Sequence, residues 1–339
     1  MPSPCEDAEA HTSKPASSAD HRLLIEMADG ADPFLGAREA ARRLRAGGVV
    51  AVPTETVYGL AACADQPAAI SRVFEIKGRP STHPLILHIA DATELSTWVD
   101  EITDSAALLA STCWPGPLTL LLRRSHKVSD LITGGRDTVA IRVPAHAVAH
   151  EVLHLAGPFV APSANRFGHV SPTTATHVMT DLGTFLDPST DGILDGGPCE
   201  IGVESTIVDC TVTPVQILRH GGVTAEEIQR ILTGPIEEAS GPQRASGMLA
   251  SHYAPRIPVQ LCESDTELAD AATHASAAGL KVAVIDLGSD LGAYARDLYA
   301  LLRAAEDSDH DVILARMPKA EGLGLAIRDR LSKAAAPRP

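Results

Sequence analysis

Aromatic side chains are scarce in this chain: they make up 3% of 339 residues, with two tryptophans, four tyrosines and five phenylalanines. The core must therefore be filled by valine, leucine, isoleucine and alanine. Cysteine is sparse too, and Cys5, Cys63, Cys113, Cys199, Cys210 and Cys262 include no C-x-x-C pair. That scatter builds neither a zinc knuckle nor a disulfide framework, and it fits a reduced, cytoplasmic setting. No apolar run approaches the ~20 residues that span a bilayer. The start of the chain is rich in Ser, Ala, Pro and acids and lacks an apolar h-region, so it reads as a disordered tail over residues 1–30 rather than a signal or transit peptide. Basic charge is also in deficit: 28 Lys and Arg against 43 Asp and Glu give a net charge of −15. A surface built to coat nucleic acid is thereby disfavoured, and any phosphate contact must be local, in a pocket. No G-x-x-x-x-G-K-[ST] occurs, and no G-x-G-x-x-G opens a helix after a strand. A nucleotide would have to be held by side-chain cations and hydroxyls.

What is present concentrates between residues 47 and 90. An apolar run at 49–52, bounded by Gly47-Gly48 and Pro53, suits a buried strand and empties into the hydroxyl-rich turn Pro53-Thr54-Glu55-Thr56. Ile70, Val73, Phe74 and Ile76 recur at near-helical spacing. Lys77-Gly78-Arg79-Pro80 ends that helix, since glycine suits a C-terminal turn and proline forbids continuation. A second apolar run, 85–89, carries His88. A strand end, two cations and a histidine are thus close enough in sequence to meet on one anionic ligand.

The rest of the chain supplies further strand ends of the same kind. A helix is expected at 33–45, short helices at 92–99 and 104–112, and a rigid corner at Trp114-Pro115-Gly116-Pro117. Strands are expected at 118–123, 138–143, 159–161, 192–194, 205–209 and 215–219, with helices at 146–155, 173–182 and 225–232. This mixture predicts an α/β domain with a mixed, twisted sheet ending near Gly234. From 235 to 254 periodicity vanishes, and Gly, Pro, Ser and Glu dominate, as in a linker. From Ile257 strands and helices alternate, which means βα units around a small parallel sheet.

Each motif has a bland reading beside the chemical one. Lys77-Gly78-Arg79 alone is a charged helix terminus, where cations favour the dipole. Pro162-Ser163-Ala164-Asn165 alone is a turn or cap. Yet it follows an apolar strand, as do the polar groups of Gly202-Val203-Glu204-Ser205-Thr206 and Leu218-Arg219-His220-Gly221-Gly222 adjoin theirs. Strand ends that all carry hydroxyls, amides or cations match the edge where α/β folds bind ligands. His150-Glu151-Val152-Leu153-His154 matches H-E-x-x-H, which would put two zinc ligands on one helix face. Only three positions of that pattern are fixed in a chain with 14 His, and no third ligand is evident, so coincidence is its default reading.

Taken together the segments resemble the YrdC-like threonylcarbamoyl-AMP synthases. The pieces are PTETVYGL (53–60), KGRP (77–80), HPLILHI (83–89), WPGPLTL (114–120), TVAIRVP (138–144), APSAN (161–165), SPTTA (171–175), GVESTIVD (202–209) and ILRHGG (217–222). HYAP (252–255) and the βα tail are similar to the two-domain branch. The resemblance implies a YrdC-like catalytic domain over 31–234, a linker or lid over 235–256, and a small Rossmann-like domain over 257–335. It implies formation of threonylcarbamoyl-AMP and pyrophosphate from L-threonine, bicarbonate and ATP. That product feeds downstream threonylcarbamoyl transferase proteins and tRNA modification, with no membrane involved. It further implies threonine contacts at Thr56, His88, Arg142, Ser163 and Ser205. ATP contacts are implied at Arg79, His83, Thr138, Asn165, Ser171, Arg219 and Tyr253, with Lys77 and Arg79 as the catalytic cations. The segment before HYAP reads SGMLAS, without the basic residues this branch often carries there, and His220 stands where proline is common.

The chemistry suits these residues on its own terms. An N-carboxylated amine must attack an α-phosphorus, so two anions meet and positive charge is needed beside both. Magnesium on the phosphates is expected, although no carboxylate pair announces a dedicated site. The enzyme rival, carbamoyl-adenylate formation in hydrogenase maturation, would want zinc-binding Cys clusters and further domains. The rival from another class is a non-catalytic double-stranded RNA- or tRNA-binding module, which the acidic charge disfavours.

Overall fold

The computed structural model describes residues 23–26, 34–239 and 253–336. Most of the expected N-terminal tail lies outside the described residues, as do 240–252 of the expected linker, including His252. The first part of the chain forms β1 (Leu24–Ile25), α1 (Leu35–Arg45), β2 (Val50–Val52), β3 (Gly59–Cys63), α2 (Pro67–Lys77), β4 (Ile86–His88), α3 (Leu95–Trp98) and α4 (Asp104–Cys113). It continues with β5 (Leu118–Arg123), α5 (Asp130–Thr133), β6 (Thr138–Arg142), α6 (Ala147–Ala156), β7 (Phe159–Val160) and α7 (Ala175–Leu182). Then come β8 (Gly192–Leu194), β9 (Thr206–Asp209), β10 (Val215–Arg219), α8 (Ala225–Leu232) and β11 (Ile236–Glu238). The last part is β12 (Val259–Cys262), α9 (Asp265–Ala277), β13 (Val282–Ile285), α10 (Leu291–Asp307), β14 (Val312–Arg316) and α11 (Leu323–Ala335).

The α/β class expected from the sequence is the one that forms. An eleven-stranded mixed sheet runs in the order β1-β8-β2-β3-β7-β4-β6-β5-β9-β10-β11, and a separate three-stranded sheet runs β12-β14-β13. The smaller sheet is all parallel, as strand–helix alternation requires. Leu23 is buried and Leu24–Ile25 pairs with β8, so this apolar triplet closes one sheet edge rather than joining a tail. At the opposite edge β11, within the stretch of linker-like composition, pairs with β10.

Helices cover both faces of the large sheet. On one, Ala37, Ala40 and Leu44 of α1 pack with Val148, Ala149, Val152 and Leu153 of α6 over β2 and β3. On the other, Ile70 and Val73 of α2 and Leu109 of α4 cover Leu118, Leu120 and Ile141. The two parts of the chain also share a core. Val57, Val170 and Val203 are buried in one cluster with Tyr253 and with Ala295, Leu298, Tyr299 and Leu302 of α10. Gly202 makes this approach possible: a Cβ there would lie 2.4 Å from the Arg296 backbone, and its φ of 77° suits glycine alone.

Candidate active site

The ends of several central strands meet at one edge of the sheet. His88 closes β4 and Arg142 closes β6, and the parallel register sets them side by side. Ser205 immediately precedes β9, Arg219 closes β10, and the two strands are antiparallel neighbours, so these residues also meet. The turn after β7 carries Ser163, which bridges to Gly59 at the start of β3. A cleft at this edge is lined by Thr54, Thr56, Arg79, His88, Arg142, Ser163, Glu204, Ser205, Arg219 and Tyr253, with apolar walls from Val57, Ile86 and Ala161.

One end of the cleft is organised by Arg142. Its Nε donates to the Gly116 carbonyl at 3.1 Å, and its Nη1 donates to Thr56 Oγ1 at 2.9 Å. Its Nη2 faces the buried carboxylate of Glu55 at 2.7 Å. Burial pushes the Glu55 carboxyl up, but Arg142 outweighs it and holds the group below its ordinary range. His88 is buried on the Phe159 ring, and burial together with Arg142 lowers its pKa to about 3. It is therefore neutral at physiological pH and offers a hydrogen bond rather than charge. Serine hydroxyls complete this end: Ser205 Oγ lies 2.7 Å from Thr119 Oγ1 and accepts from Arg219 Nη2 at 3.1 Å.

The other end is cationic. Gly78 ends α2 in the left-handed conformation at φ 62°, and the Arg79 N–H returns to the Phe74 carbonyl at 2.9 Å, which directs Arg79 back over the sheet. Its Nη2 donates to the Pro84 carbonyl at 2.9 Å, and its guanidinium sits 5.7 Å from the Phe167 ring centre. Burial lowers its pKa to about 10, which leaves it protonated at neutral pH. His83 packs edge-on against the same Phe167 ring. Arg219 is anchored by Nε and Nη2 on the Ser205 carbonyl at 3.1 and 2.9 Å.

Five of the expected site residues do not line the cleft themselves. Lys77 is buried, and its ammonium donates to the Ser163 and Asn165 carbonyls at 2.5 and 2.6 Å, so it grips the turn that presents Ser163. Asn165 donates Nδ2 to the His169 carbonyl, and Ser171 donates its hydroxyl to Glu204 at 2.7 Å. Thr138 opens β6, at the opposite end from Arg142. His83 stands beside Arg79 through Phe167, as above. Tyr253 does line the cleft, buried with φ of 60°, a left-handed conformation that is strained for a bulky residue and that concentrates at functional sites. His150 and His154 share a face of α6 with ring centres 4.6 Å apart, but that face points away from the buried one. Among the described residues no group of three or more His, Cys, Asp or Glu gathers into a metal site.

The motif residues not singled out from the sequence are Glu55 and Glu204. Glu204 is buried in the cleft wall and accepts from Ser171, Tyr299 and Arg330. Burial raises its pKa, and Arg330 and Arg219 more than reverse this, lowering it to about 2. Of its two partners from the second part of the chain, Arg330 left a sequence signal. In α11, Arg330 occupies the apolar stripe of Ala326, Ile327, Leu331 and Ala334, where a charge must find a buried partner.

The model described as "Telomere recombination", for Sua5, YciO and YrdC, matches residues 42–221. The model for the threonylcarbamoyl-AMP synthase C-terminal domain matches residues 223–336. The chain belongs to the threonylcarbamoyl-AMP synthase family. The family member of Pyrococcus abyssi is 41% identical over 321 residues, covering 88% of this chain and 93% of its own length. That of Bacillus subtilis is 39% identical, with the same coverage of both chains. The fold agrees as closely: the crystal structure of P. abyssi Sua5 complexed with L-threonine superposes with a TM-score of 0.87 at 40% identity, over 92% of this chain and 97% of that one. No helix among the described residues is long and apolar enough to cross a membrane.

Proposed function

We propose that this protein is an L-threonylcarbamoyladenylate synthase, forming threonylcarbamoyl-AMP and pyrophosphate from L-threonine, bicarbonate and ATP. The observation that carries the reading is one cleft in which three buried arginines, Arg79, Arg142 and Arg219, stand among hydroxyls. Arg142 takes the threonine carboxylate, while Thr56, His88, Ser163 and Ser205 surround the remainder of the amino acid. The amine condenses with bicarbonate, releasing water and leaving an N-carboxylate. An oxygen of that group attacks the α-phosphorus of ATP, and the bond to pyrophosphate breaks. No covalent enzyme intermediate is needed; positioning and charge suffice. Arg79 and Arg219 meet the charge that develops on the phosphates. Lys77 sets the turn bearing Ser163 and Asn165, and His83, Thr138, Asn165 and Ser171 flank the nucleotide. Ser205 touches Arg219 and belongs to the threonine end, so it couples the two halves of the cleft.

Glu55 and Glu204, the carboxylates nearest the cleft, are both engaged by arginines. They offer magnesium no dedicated seat, and the ion would arrive on the triphosphate. Tyr253, buried at the cleft, covers the nucleotide and slows hydrolysis of a labile adenylate. The product is handed to threonylcarbamoyl transferases acting on tRNA in a reducing cytoplasm. Catalysis is preferred over passive RNA binding because the cations are buried in a cleft rather than spread on a surface.

Pyrophosphate release is expected to require threonine and bicarbonate together. Serine should support it poorly, because one lost methyl contact is worth ~1–3 kcal/mol. Equal rates with serine, alanine and threonine, at matched saturation, would remove threonine as the substrate.

A further inference from the structure

Two side chains from the second part of the chain reach the wall of the cleft. Arg330 of α11 is fully buried, donates Nε to Glu204 Oε2 at 2.7 Å and donates Nη2 to the His220 carbonyl at 2.9 Å. Its guanidinium lies 5.2 Å from the centre of the Tyr253 ring. Tyr299 of α10 donates to the same Glu204 carboxylate, 2.9 Å from Oε2, and stacks on Tyr253 with ring centres 5.7 Å apart. Glu204 and His220 are the immediate neighbours of Ser205 and Arg219. One guanidinium therefore ties together the segments that present Ser205, Arg219 and Tyr253.

The electrostatics give this arrangement a direction. A cleft for a polyanion carries a carboxylate, Glu204, in its wall. Left alone, that charge would repel phosphate. Arg330 neutralises it, while Glu204 in turn offsets the repulsion between Arg330 and Arg219, which lie close enough that Arg330 lowers the proton affinity of Arg219. Arg330 Nη1 also pairs with Asp329, which Lys333 balances in turn, so Arg219, Glu204, Arg330, Asp329 and Lys333 together carry one net positive charge, and it depends on a helix outside the large sheet.

We propose that Arg330 is a positioning residue for ATP, so that the C-terminal part of the chain completes the nucleotide site rather than merely docking beside it. This rests on reading the cleft as an adenylation site. The test uses the full chain and measures ATP affinity by calorimetry without threonine, alongside the KM for ATP and for threonine in pyrophosphate release. Arg330→Met should weaken ATP binding and raise its KM by ~10-fold or more, with a smaller change in the KM for threonine. The double variant Arg330→Met with Glu204→Gln, which removes the orphaned carboxylate, should recover most of the ATP affinity. A merely structural arginine would lose stability that the double variant also restores, but it would move both KM values together instead of the KM for ATP alone. If Arg330→Met does not fold, Arg330→Lys decides: it keeps the charge, loses the two-point grip, and should weaken ATP several-fold at constant threonine KM. ATP affinity within twofold of wild type in Arg330→Met, or in Arg330→Lys where that variant decides, or a double variant no better than Arg330→Met, overturns the proposal. Wild-type chain that binds ATP but releases no pyrophosphate overturns the adenylation reading instead, and the calorimetric comparison still judges Arg330.

Discussion

Replacing Arg79 with alanine is expected to lower the rate of pyrophosphate release by on the order of 10²–10³. The loss follows from where the guanidinium is held. The Gly78 turn and the Pro84 carbonyl fix it at the cleft, so its charge is in place before reaction and costs no reorganisation when pyrophosphate departs. The fold should withstand the change. The charged hydrogen bond to the Pro84 carbonyl, lost together with the Phe167 ring contact, is worth about 1–3 kcal/mol. Turnover and melting temperature should therefore separate, turnover collapsing while cooperative unfolding persists. Near-normal turnover would return Lys77-Gly78-Arg79 to a charged helix end.

Arg142→Ala should fail in both respects. Arg142 and Glu55 are both buried and face each other at 2.7 Å. Removing the cation leaves a carboxylate in low dielectric with its charge uncompensated, which costs about 3–5 kcal/mol. The melting temperature should fall accordingly, and threonine binding should vanish with the group that takes its carboxylate. Pairing Arg142→Met with Glu55→Gln separates the two effects. The neutral pair should regain much of the stability, as buried ion pairs replaced together often do, yet it should bind no threonine. Calorimetric titration with threonine and a denaturant melt of each variant make the comparison. A neutral pair that binds threonine normally would remove Arg142 from the amino-acid end.

The strands legible in the sequence are those with branched apolar runs between turn residues, such as β2, β5 and β6. The strand β3 was not, because Gly59–Cys63 is one glycine, one leucine, two alanines and a cysteine, all buried, which leaves no alternation to read. β11 escaped for the opposite reason: Ile236–Glu238 is a polar edge strand with a single apolar residue. The cleft was legible because several strands each end in a hydroxyl, amide or cation, and the sheet order then brings those ends together. Its support was not. Glu204 finds Arg330 across 126 positions and Tyr299 across 95, and no local pattern couples such distant residues. Only the polar interruption of an apolar helical stripe marks that α11 must meet a charge.

The central claim is that one cleft joins threonine, a carbon from bicarbonate and the adenylyl group of ATP. Mass spectrometry of the product formed with ¹³C-bicarbonate tests it most directly. The account predicts a threonine- and ATP-dependent adenylate whose mass rises by ~1 Da with the label, through the single new carbamate carbon demanded by this route to the transition state. An adenylate of unchanged mass, meaning direct activation of the threonine carboxylate, would contradict it.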